Sequence, residues 1–472
     1  MAGEITPVNL DRIIPVPWAT LLTVIWIFSS KSAVILAAGE FEVVYSWKVI
    51  DYNWADAESR EEAVENGDYI PENNAISGVK IWKDRIYLSV PRWLPGVPST
   101  LNWVPWVPPS GGKDETPSSP LLTPFPCLAI QNPGNCCAIQ YVQGFEIDPM
   151  GRMWVLDVGR KNLLTPEPDN ECGPKMVILD LKEGGKVLRL HQFPEEVASR
   201  NDSFLNDLVV DVNGSPDGSD WFAYITNSGG PPQGGGSVVV YDLKNDESWK
   251  VLDPASMSYD RSAARARVGG RTAILKYNAD GIALTPVGTK VPLLYYCPLG
   301  SFNLYSIPTR VLRTVKNKNV GRFVRNLGRK RSQADGMVMD NKGRLFYGSL
   351  AQDALVRVDR KDLITRFGRK INEKSIAQDH ERLQWIDGLG FDGSRQLWFI
   401  TNRLQNLQAG AVNTSEVNYR LNRVSPNALS YMYPGSIFKS LADPGFAETS
   451  LAANSFFLDL KGISYERTDD DL

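Results

Sequence analysis

Six times along this chain a polar residue, usually followed by glycine, opens an apolar stretch that turns back into an aromatic one. The openings are Ser77-Gly78, Gln143-Gly144, Asn206-Asp207, Asp280-Gly281, Asp335-Gly336 and Asp387-Gly388. Five residues after each comes a turn, at Trp82, Asp148, Asp211, Thr285, Asp340 and Asp392. Returning stretches such as Arg152-Met153-Trp154-Val155 and Gln396-Leu397-Trp398-Phe399 follow. The turns stand 52 to 74 residues apart, about the length of one four-stranded propeller blade with long loops. A length of 472 residues would otherwise suggest about three domains, but stacked blades form one body. The repeat therefore predicts an all-β chain, a six-bladed β-propeller in a single domain spanning residues 40–465.

The flanks read differently. Residues 18–28 are uncharged and rich in Leu, Val and Ile, the length of a signal-peptide core and too short to span a bilayer. Ala37, Ala38 and Gly39 offer a cleavage site, so 1–39 is expected to be a signal peptide and the protein to be secreted; a retained signal anchor is the alternative. Residues 466–472 form a charged tail. A net charge of -3 makes no case for nucleic acid, and no second segment suits a membrane. Nine Lys or Arg and no carboxylate lie between Arg310 and Arg331, read as a solvated face rather than a docking site.

Secretion makes disulfides the default for the five cysteines. In the second blade, the segment before the first strand and the loop after the second lie at one end of the hairpin. Cys172 should therefore pair with Cys137, or with Cys136 in its place, and Cys127 could close onto the remaining member. Cys297, in Leu294-Tyr295-Tyr296-Cys297, is expected to be a buried free thiol. Sequons place candidate glycans at Asn201, Asn213 and Asn413, the second weakened by the proline after Ser215. The short lead before residue 48 is expected to close the ring by joining the last blade, and 56–67 to form a helix. Residues 91–126, rich in proline and carrying Trp93, Trp103 and Trp106, are expected to pack over a propeller face. The Gly-rich run 229–236 lacks a following Lys-Ser/Thr and is a loop rather than a phosphate cradle.

Inner propeller strands run along the central channel, so their first residues ring one mouth. That ring holds Ser77, Gln143, Asn206, Asp280, Asp335 and Asp387, with Asp207 adjacent. Second strands end at the same mouth and add Asp157, Asn227, Ser349 and Asn402. Tyr141, Phe204 and Trp385 stand two positions before three ring members. Acids with aromatic walls suit a cationic, ring-bearing ligand, through ion pairing and cation–π contact. The opposing reading is that Asp-Gly merely shapes the turn into each strand. Asp148, Asp340 and Asp392, at the opposite turns, are read as structural.

Several stretches resemble the Yellow / major royal jelly protein family of secreted arthropod proteins. They are Ile81-Trp82-Lys83-Asp84-Arg85-Ile86-Tyr87-Leu88-Ser89-Val90-Pro91-Arg92-Trp93, Gly151-Arg152-Met153-Trp154-Val155-Leu156-Asp157-Val158-Gly159, Tyr305-Ser306-Ile307-Pro308-Thr309, Leu383-Gln384-Trp385-Ile386-Asp387 and Leu397-Trp398-Phe399-Ile400-Thr401-Asn402-Arg403-Leu404-Gln405. The resemblance runs from about residue 41 to 435. It implies a six-bladed propeller, an extracellular location, and roles in cuticle or eggshell pigmentation and hardening. Related members bind biogenic amines in the central cavity, and others are described as dopachrome-converting enzymes. This chain has Met150 where the family often has cysteine, and Asn227 where it often has an acid.

The expected ligand is thus a small aromatic amine or catechol metabolite, held by Asp335, Asp387, Asn206, Asp207, Asp280, Gln143, Asn402, Trp385, Phe204 and Tyr141. No cofactor and no resident metal are called for, and extracellular matrix is a further candidate partner. A tautomerase is the enzymatic alternative, since it needs only proton removal from carbon and return to oxygen, by a carboxylate or His380. His191 is read as structural. A metal-dependent lactonase-like hydrolase, with Asn206, Asp335 and Asp387 holding calcium, is a third reading. A matrix protein with no small-molecule site is a fourth. No Gly-x-Ser-x-Gly elbow is present.

Overall fold

Alternating apolar residues pair into strands at every place the repeat marks, because an isolated hairpin cannot bury both its faces until neighbouring hairpins stack on it. The computed structural model describes residues 41–106, 118–229, 235–365 and 368–434. The expected signal peptide, the charged tail and part of the glycine-rich run lie outside those residues. Six sheets are built outward from the inner strands Val79–Trp82, Val142–Ile147, Leu205–Asp211, Ala279–Leu284, Met337–Met339 and Ile386–Phe391. Adjacent inner strands pack against one another around the full circle, the last against the first. The lead strand Glu42–Trp47 pairs antiparallel with Tyr419–Val424 and supplies the outer strand of the sixth blade. This joins the two ends of the ring in one sheet.

Local expectations hold in most places. Asp56 caps the helix Ala57–Glu65, its carboxylate accepting from the Ser59 backbone N–H. Residues 91–126 differ from expectation: Leu101–Pro105 and Thr123–Pro124 are the third and fourth strands of blade one. The strand shows no alternation to read, because Leu101 and Val104 are buried on opposite faces, in two different parts of the core. Blade four gains a fifth strand, Arg369–Lys370, parallel to Arg325–Arg329. At the far end of the channel, residues 426–434 cross blades five, four and three. The Asn341 N–H donates to the Leu429 carbonyl, the Val287 N–H to Tyr431, and the Tyr431 hydroxyl to the Val210 carbonyl.

The glycines of the openings have a different physical cause from turn formation. None has a positive φ. A Cβ on Gly281 would stand 2.3 Å from the Asp335 carbonyl oxygen, and one on Gly336 2.4 Å from that of Asp387. Gly144 and Gly388 meet the next inner strand in the same way. At these four openings glycine is required because successive inner strands approach too closely for a Cβ, whereas at Gly78 the nearest atom is the Ser89 hydroxyl of its own blade. Blade three departs from this with Asp207.

Candidate functional site

Register shifts lie at the mouth end of four inner strands, between Val142 and Phe145, Leu205 and Leu208, Ala279 and Gly281, and Ile386 and Leu389. A bulge bends its strand and re-aims a side chain. Here it falls on the opening residues and turns Gln143, Asn206, Asp280 and Asp387 toward the channel. They form, with Asp335, the floor of a cavity of about 360 Å3. Its walls include Trp93, Phe204, Tyr277 and Trp385, its rim Leu163, Leu164, Leu299 and Leu404, and one side holds Arg160.

The floor acids are buried together. Asp335 accepts Trp385 Nε1 at 2.7 Å. Asp387 accepts Asn402 Nδ2 at 2.7 Å and the Ser77 hydroxyl at 3.1 Å, and Asp280 accepts the Ser228 hydroxyl at 3.2 Å. Burial, then the Asp335 charge, pushes Asp280 and Asp387 well above the ordinary carboxylate range. Burial also raises Asp335, opposed by hydrogen bonds from Trp385 and from the Asp280 carboxyl. Burial and the neighbouring charge favour the protonated form of Asp280, whose carboxyl hydrogen-bonds Asp335. Trp385 reaches its place with φ +54°, a conformation a bulky residue adopts only when its surroundings enforce it.

The structure sorts the expected site residues. Asp335, Asp387, Asp280, Asn206, Gln143, Trp385 and Phe204 line the cavity. Asn402 and Tyr141 stand behind it: Asn402 holds Asp387 and the Ile76 carbonyl, and the Tyr141 hydroxyl donates to Gln143 Oε1 at 3.1 Å. Asp207 lies deeper, in a void of about 30 Å3 that it lines with Lys80 and the inner face of the acid ring. Burial raises its carboxyl to about 7, against the pull of Lys80, which is itself paired with Glu146 at 2.9 Å. At the second-strand ends, Asp157 and Asn227 bind backbone. Asp157 accepts the N–H groups of Gln140, Tyr141 and Gly159, and Asn227 those of Phe204 and Gly229. The amide of Asn227 thus performs the role an acid plays in blade two. His380 is not part of the cavity lining; it is 76% exposed and bonded to Asp353. His191 bridges blades two and three through Asp246 and Ser248. Among the described residues, no group of three or more His, Cys, Asp or Glu side chains is placed to hold a metal ion.

Part of the rim, Leu163 and Leu164, comes from a loop that the repeat does not reach. Residues 158–174 leave blade two, and the N–H groups of Asn162 and Leu164 donate to the carbonyls of Arg92 and Trp93. Arg92 in turn donates to five carbonyls, among them Gln131 and Gln140. The loop ends at a disulfide between Cys172 and Cys136, with Cα atoms 5.2 Å apart. The bond joins the two segments expected, but uses Cys136 rather than Cys137. Cys137 and Cys127 are both free and exposed, so the second bridge is not formed, and Cys297 is buried and free. Trp93, Arg160, Tyr277 and the rim leucines were missed because they sit between the paired strands, in segments of unequal length with no repeat phase. The signal available was that Trp93 and Leu404 fall inside the stretches that carry the family resemblance and that Val158-Gly159 precedes Arg160. Of the sequons, Asn201 lies at the cavity rim, Asn413 is exposed, and the Asn213 amide is bonded to Asp211.

Residues 140–432 match the family model described as major royal jelly protein. The chain is 27% identical over 406 residues to major royal jelly protein 1 of Apis mellifera, covering 82% of this chain and 88% of that protein. It is 25% identical over 443 residues to dopaminechrome tautomerase of Drosophila melanogaster, covering 91% and 90%. Protein yellow of Drosophila yakuba is 28% identical over 299 residues, 62% of this chain and 51% of that one. No helix among the described residues is long and apolar enough to cross a membrane.

Proposed function

The chain belongs to the major royal jelly protein family, and from that premise we propose that its cavity binds a small aromatic amine or catechol-derived metabolite. The reading rests on one arrangement: Asp280, Asp335 and Asp387 side by side beneath aromatic walls. A shared floor charge suits one ammonium group, and Trp93, Phe204, Tyr277 and Trp385 suit a ring. The volume falls within the roughly 300–1,000 Å3 of small-molecule sites. Calorimetry with dopamine, serotonin and dopachrome analogues tests it. Asp387→Asn should weaken binding by about 2–5 kcal/mol, well over tenfold. Asp392→Ala, at the opposite turn, should leave affinity unchanged. No binding by the parent protein, or equal loss in both variants, would favour a matrix protein without a ligand site.

The Asp280–Asp335 pair favours a second reading, tautomerisation, in line with the name of the Drosophila melanogaster relative. Ionised Asp335 takes a ring C–H proton while protonated Asp280 gives one to a quinone oxygen. The proton then returns across the shared hydrogen bond, so the substrate is isomerised with no added reagent. We place the protein outside the cell, with residues 1–39 removed as a signal peptide, acting in pigmentation or hardening of cuticle or eggshell. N-terminal sequencing of protein from culture medium tests the cleavage; recovery only in membranes with Met1 intact would contradict it.

A further inference from the structure

Arg160 is set into the cavity wall with no carboxylate bonded to it. It is 7% exposed and lines the cavity beside Phe204. Nε donates to Asn170 Oδ1 at 2.8 Å and Nη1 to the Ser203 carbonyl at 3.3 Å, both neutral acceptors. Nη2 has no hydrogen-bond partner among the described residues. The carboxylate that acts on it most, Asp202, does so through space from the exposed rim. Arg92 shows how this fold satisfies a guanidinium it uses only for structure: all three nitrogens donate to backbone carbonyls. The Nη2 edge is left open to the cavity, where the planar fork of a guanidinium matches a carboxylate.

The same cavity therefore presents two polarities. Its floor is acidic, and the groups acting most strongly on Asp280, Asp335 and Asp387 are one another and their hydrogen-bond donors, not Arg160. Arg160 and Asp387 both act on the buried Tyr141 hydroxyl, so the two polarities lie within electrostatic reach of one side chain. We propose that Arg160 selects ligands carrying a carboxylate together with a protonated nitrogen, namely an aromatic α-amino acid, in preference to the decarboxylated amine. The carboxylate pairs with Arg160 and the nitrogen faces the acid floor. This rests on the small-molecule reading of the cavity given above.

Calorimetry with matched pairs tests it: dopa against dopamine, tyrosine against tyramine, tryptophan against tryptamine. The parent protein should bind the carboxylated member about tenfold or more tightly, the size of effect expected of a hydrogen-bonded charge pair. Arg160→Gln should erase that preference while changing affinity for the amines about twofold or less. Equal or tighter binding of the amines by the parent protein would overturn the inference while leaving the cavity a binding site. So would a preference that survives in Arg160→Gln. Binding of neither member of any pair would overturn the small-molecule reading as well. The comparison within the parent protein needs no variant, so it stands even where Arg160→Gln fails to fold.

Discussion

Aspartates recur at both ends of the central channel, yet the two ends treat them oppositely. At the far turns each carboxylate is met by donors from its own hairpin. Asp148 accepts the N–H groups of Met150 and Arg152, the Arg152 guanidinium and Trp154 Nε1. Asp392 accepts the N–H groups of Ser394 and Gln396 and Trp398 Nε1, and Asp340 is met by Lys342 and Arg344. At the mouth, Asp280, Asp335 and Asp387 face one another across the ring, with few donors and raised proton affinity. An acid that its own turn has fully bonded is part of the scaffold. One left facing like charges in a cavity stores an electrostatic cost that a ligand can relieve.

The largest effect that would break this contrast lies at the far end. Asp148→Ala strips a buried carboxylate from Arg152 and Trp154 and should cost about 3–5 kcal/mol of stability with cavity affinity unchanged. Denaturant unfolding beside ligand calorimetry checks it; lost affinity at unchanged stability would erase the distinction between the ends. The mouth depends instead on a covalent tie. Replacing Cys136 and Cys172 together by serine should cost about 2–4 kcal/mol and also weaken ligand binding, because the loop they hold carries Arg160 and the rim. Thermal melting with calorimetry separates those two losses.

The smallest effect sharpens the contrast inside the channel. Asp207 binds its proton more tightly folded than unfolded, with its carboxyl raised to about 7. Its contribution to stability is therefore full below about pH 4 and is lost as pH rises toward 7. Asp207→Asn should flatten that decline by on the order of 1–2 kcal/mol, allowing for screening by water in the channel. Unfolding measured between pH 4 and 8 reads the slope; an unchanged slope would mean the void hydrates Asp207 as bulk water does.

The six-fold ring was legible in residue order because the inner three strands of every blade are consecutive in the chain. Alternation, turn and return all fall within one repeat, and the lead strand that closes the circle carries the same alternation. The openings were legible too, but for a reason that local chemistry misassigns. Their glycines look like turn residues, and four of the five are required by the carbonyl of the neighbouring blade.

Membership of the binding wall was not legible in the same way. Asn402, Tyr141 and Asp207 stand next to the lining residues in the repeat and yet lie behind or below them, because the register shifts of the inner strands decide which side chains enter the channel. Arg160, Trp93 and Tyr277 have no phase at all and reach the cavity from loops of separate blades. Residue order carries interactions between chain neighbours. A cavity is assembled by contacts between residues far apart in sequence, and the burial that raises the floor acids arises only when all six blades have closed around them.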